Sequence, residues 1–142
     1  MTMARQVRPL EAAAAALARR DRSAADLRAQ LERRGVPADD AARTVERLEA
    51  AGYVDDARFA AARAETLATR GYGNAVIARE LERQGIGRDE IGSALAQLEP
   101  ETARAAALLE RFGRAPKAAR RLVAKGFDRE AVAAALGDPP DA

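Results

Sequence analysis

Apolar residues recur along this chain at spacings of three and four, not two. Leu27 and Leu31 lie four apart, as do Ile77 and Leu81, which is the period of one helix face. The breaks between apolar stretches are regular. Ser23-Ala24-Ala25-Asp26 resembles a capping box with the shorter Asp in the Glu position, and Asp56, Asn74 and Asp128 suit N-caps. Gly35, Gly52, Gly71, Gly85, Gly113 and Gly126 each follow a helical stretch, where a left-handed C-terminal turn favours glycine. Pro37, Pro100 and Pro116 fit first-turn positions. The pattern predicts an all-α fold with nine helices, near residues 10–21, 24–34, 38–51, 57–70, 75–84, 88–98, 101–112, 116–125 and 129–136, joined by short loops.

The helices fall into three groups of three. The motif Leu-x-x-x-Gly-apolar occurs as Leu31…Gly35-Val36, Leu81…Gly85-Ile86 and Leu122…Gly126-Phe127. Six residues past each Gly stand Ala41, Ile91 and Val132, and ten past stand Val45, Leu95 and Leu136. Thirteen past, the first two groups have Leu48 and Leu98, while the third has already ended. The expected organisation is a short lead over 1–9, three-helix repeats over 10–52, 53–99 and 100–136, and a frayed tail over 137–142 in which Pro139 and Pro140 stop any helix. Units this small need neighbours to cover their apolar faces, so the repeats should stack into an elongated, curved array. The core should rest on Leu17, Leu27, Leu31, Leu48, Phe59, Leu67, Ile77, Leu81, Leu95, Leu108, Leu122 and Phe127.

Composition narrows the chemistry. The chain has 142 residues, of which 38 are Ala, and neither Cys nor His occurs. Disulfides, thiol catalysis, Cys/His zinc sites and imidazole bases are therefore excluded. Aromatics make up only 4% with no Trp, against the base-stacking platforms of RRM and OB modules. Asp55-Asp56 reads as a helix start rather than an acid pair. Gly71-Tyr72-Gly73 lacks the strand and third glycine of a nucleotide loop, and Ser23 and Ser93 have no base partner. An enzyme, a cofactor and a small-molecule substrate are not expected. No apolar run reaches membrane-spanning length, so the chain is expected to be soluble and cytoplasmic. Tyr53 and Tyr72 should pack their rings against a helix and leave the hydroxyls wet.

Charge is nearly balanced, 24 Lys+Arg against 22 Asp+Glu, for a net +2. Its distribution is more informative. Residues 111–125 hold Arg111, Arg114, Lys117, Arg120, Arg121 and Lys125 with no acid. Lys117, Arg121 and Lys125 are spaced by four and Arg114 extends the line by three, forming one edge of a helix opposite Ala118, Leu122 and Val123. Such a stripe suits phosphates or carboxylates. Arg33 and Arg34 at the end of the second helix, and Arg79 and Arg83 in the fifth, form a second basic set, although a helix C-terminus favours Arg on its own account.

One resemblance adds to this reading. Gly52-Tyr53-Val54-Asp55-Asp56-Ala57-Arg58-Phe59-Ala60, the stretch Arg70-Gly71-Tyr72-Gly73 with Ile77…Glu80-Leu81…Gly85-Ile86, and Ser23…Asp26-Leu27-Arg28…Leu31…Arg34-Gly35 resemble the RecX family of recombination regulators over roughly residues 10–136. The resemblance implies three tandem three-helix repeats and a partner, the RecA recombinase on its DNA filament. It implies modulation, usually inhibition, of strand exchange, ATP hydrolysis and co-protease activity; the sequence does not distinguish capping of filament ends from filling of the groove. The residues leave two other readings open: a helix-turn-helix DNA-binding module, for which the net charge predicts weak, non-specific, salt-dependent binding, and a helical-repeat adaptor for another protein. The sequence predicts that replacing Lys117, Arg121 and Lys125 with Glu weakens the partner contact while helicity, read by far-UV CD, is unchanged.

Overall fold

The computed structural model describes residues 7–137. The lead over 1–6 and the tail over 138–142 lie outside them. Nine helices and no strand occur among the described residues: α1 (Pro9–Arg19), α2 (Ala24–Arg33), α3 (Ala38–Ala50), α4 (Asp56–Thr69), α5 (Asn74–Arg83), α6 (Arg88–Ala96), α7 (Glu101–Phe112), α8 (Pro116–Ala124) and α9 (Arg129–Leu136). Each agrees with its predicted span to within two residues at either end.

The helix ends follow the chemistry of the repeated motif. Val36, Ile86 and Phe127 each donate their N–H back to the carbonyl of the Leu five residues earlier, at 3.0, 3.0 and 3.1 Å, the long bond of a Schellman end. The intervening Gly85 takes φ +78. Ser23 caps α2 by accepting from the Asp26 N–H at 3.0 Å. Asp26 does not reciprocate; its carboxylate pairs with Arg22 at 3.0 Å. Asp55, not Asp56, caps α4, accepting from Arg58 N–H at 3.0 Å. Asn74 likewise is the first helical residue of α5 behind an uncapped Gly73. Both displaced residues reach toward the neighbouring three helices instead.

Each trio packs on itself, α1–α3, α4–α6 and α7–α9, and each encloses its own apolar cluster. Leu27, Leu31 and Val45 centre the first, Ile77 and Leu81 the second, Leu109 and Leu122 the third. Leu109, rather than the expected Leu108, is the deeply buried member of the α7 pair. Leu17, Phe59, Leu95 and Leu108 sit at the cluster margins, only partly covered. Alanines such as Ala13, Ala60 and Ala105 are fully buried, which permits close helix contact but removes little apolar area per residue.

The trios join through the ends of their middle helices. The Ser23 hydroxyl, at the start of α2, donates to Gln84 O at the end of α5, 2.6 Å away. Gly73 and Ala75, at the start of α5, donate their N–H groups to Lys125 O and Gly126 O at the end of α8, at 2.9 and 3.1 Å. Thus α8, α5 and α2 run head to tail in one file, positive helix ends meeting negative ones. A carboxylate completes each junction. Asp56, first residue of α4, accepts from Ala24 N–H at 2.8 Å. Glu101, first residue of α7, accepts from Asn74 N–H at 2.7 Å and from Asp128 N–H at 2.8 Å. The open amides at the starts of α2 and α5 are thereby satisfied from the next trio, and that of Asp128 from within its own.

Glycine makes these approaches possible. A Cβ on Gly85 would overlap the Ala25 Cβ, and one on Gly126 would sit 2.7 Å from Val76 N, whereas one on Gly35, which has no trio before it, meets nothing within 4 Å. Gly35→Ala should therefore lose only the backbone preference, about 1 kcal/mol. Gly85→Ala and Gly85→Val should lose more, because the α2–α5 contact must also open. Thermal melts of the three variants check this, with equal losses at the two positions counting against the junction.

Candidate partner-binding surface

The predicted basic residues lie along the file of middle helices, but not on one face. Counting from the repeated glycine, Arg79 stands six before Gly85 and its equivalent before Gly126 is Arg120. Lys117, Arg121 and Lys125 correspond instead to Val76, Glu80 and Gln84. In α5 those three positions face neighbouring elements: Val76 lies against Gly126, Glu80 pairs with Arg63 of α4 at 3.4 Å, and Gln84 O meets Ser23. The Lys117, Arg121 and Lys125 edge inherits that inward-leaning aspect, while Arg114 lies in the loop before α8 and not on the helix, contrary to the expected four-residue stripe.

Three of its four members are accordingly engaged. Arg114 donates to Ala135 O at 3.3 Å and Leu136 O at 3.1 Å, capping the end of α9, and pairs with Glu110 at 3.0 Å. Glu110 lies one residue outside the acid-free run, so an acid does neutralise the stripe locally. The Arg121 guanidinium lies over the Phe112 ring, 4.3 Å from its centroid, with Arg111 on the same ring at 5.7 Å. Lys125 is half-buried. Its ammonium sits 5.1 Å from the Tyr72 centroid and donates to Arg70 O at 3.4 Å, holding the end of α4 to the end of α8. Lys117 alone is exposed with no side-chain partner among the described residues. The triple Glu variant would therefore lose packing as well as charge.

Of the second set, Arg33, Arg34 and Arg79 are exposed and make no side-chain bond among the described residues. Arg83 pairs loosely with Glu80 at 3.7 Å. Arg33 and Arg34 end α2 and Lys117 begins α8, so these free cations mark opposite ends of the file. Tyr53 departs from expectation: the residue is 67% exposed beside Gly52. Tyr72 is partly buried and packs against the second cluster, as anticipated.

Sequence reasoning passed over Arg104. This side chain is only 9% exposed and donates to Asn74 Oδ1 at 2.7 Å and Tyr72 O at 2.8 Å, across the second junction. Its face lies 5.5 Å from the Phe127 centroid, while its Nε–H has no partner. Burial lowers its pKa below the usual arginine value, with Glu101 and Glu99 opposing the shift. Its equivalent at the first junction is the apolar Phe59, so the repeat carried no signal for it. No group of His, Cys, Asp and Glu among the described residues is placed to hold a metal, and no described helix is long and apolar enough to cross a membrane.

These contacts separate structural cations from available ones. Arg104→Leu should destabilise by about 2–4 kcal/mol by stranding buried acceptors. Arg114→Ala should lose about 1 kcal/mol through the α9 cap. Lys117→Ala should melt as the parent does. Denaturant titration checks the ranking.

Comparison with known proteins agrees with this architecture. Residues 10–48 match the family model for the first three-helix domain of RecX, and residues 55–95 match that for the second. The Regulatory protein RecX of Xanthomonas oryzae pv. oryzae (strain MAFF 311018) is 36% identical over 142 residues, covering 93% of this chain and 89% of the relative. That of Xanthomonas campestris pv. campestris (strain B100) is 34% identical over 134 residues, covering 87% and 83%. Among solved structures, a crystal structure of regulatory protein RecX superposes with a TM-score of 0.73 at 23% identity, covering 92% of this chain and 73% of that one. The crystal structure of RecX from Lactobacillus salivarius gives 0.75 at 20%, covering 90% and 92%. With nine helices in three trios, both domain models matched in order and close to the full length shared with its relatives, the chain belongs to the RecX family of regulatory proteins.

Proposed function

We propose that this chain binds a RecA nucleoprotein filament and inhibits its strand-exchange, ATPase and co-protease activities. The file of middle helices carries the reading. Helices α2, α5 and α8 hold 10, 10 and 9 residues, about 44 Å of helix at 1.5 Å per residue. Free cations stand at both ends, Arg33 and Arg34 against Lys117, with Arg79 and Arg120 at equivalent positions between them. A periodic surface of this kind suits a polymeric partner that offers carboxylates or phosphates at intervals. Each contact is weak, and simultaneous engagement multiplies them through effective concentration.

Occupation of the groove would block a second DNA or a cleavable repressor, and preference for one filament state would shift assembly by linkage. The net charge of +2 leaves only weak, non-specific, salt-dependent binding to naked DNA. The reading requires no cofactor and places the chain in the cytoplasm with the filament. Capping of filament ends remains the alternative geometry within it.

In a strand-exchange assay the protein should inhibit at substoichiometric ratios to recombinase. No effect at equimolar protein would overturn the proposal. The Arg33→Glu, Arg34→Glu, Lys117→Glu variant should need about tenfold more protein for half-inhibition with an unchanged melting curve. Tight, sequence-specific gel shifts on naked duplex at physiological salt would instead support a DNA-binding module.

A further inference from the structure

The third trio carries a surface that the other two lack. Helices α8 and α9 flank an open groove of about 330 Å³ with a floor of Val123, Val132 and Leu136 and with Arg120 and Arg129 on its margin. No carboxylate lines it. Three residues before the repeated glycine the first two trios have Glu32 and Glu82, both exposed, where the third has Val123. An acidic side chain thus stands over the equivalent position in α2 and α5 and is missing from α8. The first trio also lacks the arginines, with Ala29 and Ala38 in the places of Arg120 and Arg129.

Among the described residues neither arginine is neutralised. Both are exposed, and neither makes an ion pair or side-chain hydrogen bond among the described residues. Of the acids nearest in sequence, Asp128 caps α9 by accepting from Glu130 N–H at 3.1 Å, and Glu130 lies outside the groove lining. An apolar floor between unpaired cations excludes a phosphate backbone as occupant, because phosphates would reach the arginines without covering the valines. It favours a chain that presents aliphatic and carboxylate side chains together.

We propose that the α8–α9 groove binds a short acidic peptide segment of a protein partner, with aliphatic anchors on Val123, Val132 and Leu136 and carboxylates on Arg120 and Arg129. The groove shares Arg120 with the basic file assigned to the filament, but its apolar floor and Arg129 lie outside that file, and its occupancy does not require recombinase. The groove is shallow, so the expected affinity is micromolar, in keeping with short-peptide recognition.

The test is selection of short random peptides displayed on phage against the immobilised full chain, followed by fluorescence anisotropy with the synthetic winners. Enriched peptides should combine aliphatic residues with flanking Asp or Glu. Their affinity should fall at least about tenfold in Val123→Glu and in the Arg120→Glu, Arg129→Glu double variant. Val123→Glu installs the residue that α2 and α5 already carry, but Val123 also packs on the third cluster, so the double arginine variant, at two exposed positions, is the arm whose melting curve should match the parent. Basic or uncharged winners, or acidic ones bound equally by folded Val123→Glu, would overturn the proposal, as would no peptide sensitive to that change. Binding of a single-stranded oligonucleotide that Val123→Glu abolishes would overturn it in favour of nucleic acid.

Discussion

The structure depends on how the unpaired ends of short helices are satisfied. A helix of ten residues leaves four amides at one end and four carbonyls at the other without partners inside it, a large share of its backbone. In α2 and α5 the exposed amide end is closed by the following trio, through a carbonyl at the end of the next middle helix and a carboxylate from the first residue of α4 or α7. Ser23 with Asp56, and Gly73 with Glu101, are two chemically different solutions to the same requirement. One uses a hydroxyl, the other a bare backbone amide that glycine allows to come close.

This requirement explains why the chain holds together despite modest cores. Each trio buries a handful of leucines and many alanines, too little for independent stability at this size. Coupling between neighbours supplies the rest, as in other arrays where stability is distributed over units and interfaces. The two junctions are unequal. The first rests on Ser23 and Asp56 with Gly85 fitted against Ala25. The second adds Arg104, Lys125 and the paired amides of Gly73 and Ala75.

Helix positions were legible in the sequence because the Leu-x-x-x-Gly-apolar ends are local and repeat in phase. The family resemblance rested on local segments too, chiefly residues 52–60 at the turn from α3 into α4 and residues 70–73 before α5. The junctions were not legible, because their residues differ in kind while serving one role: Ser23 matches Gly73, Asp56 matches Glu101, and Phe59 matches Arg104. Lys117, Arg121 and Lys125 do share one edge of α8, but Arg114 falls in the loop before it, and that edge turns toward α7 and the second trio. Spacing alone reports which residues share a face and not what the face meets. Phe112 under Arg121, and the α9 end under Arg114, come from elements distant on the helical wheel. Arg120, equivalent to Arg79, would have emerged had the basic residues been compared through the repeat rather than through charge density.

The start of α8 shows how the series is brought to a close. Where α5 offers the Ala75 amide to the helix ahead of it, α8 has Pro116, which has no amide hydrogen to give. Where Val76 rests on Gly126, α8 carries Lys117. A second molecule bringing the end of its α2 to this site would meet a missing donor and set Arg33 and Arg34 against a lysine. Head-to-tail self-assembly, the hazard of any protein built from stackable modules, is thus disfavoured by two adjacent side chains.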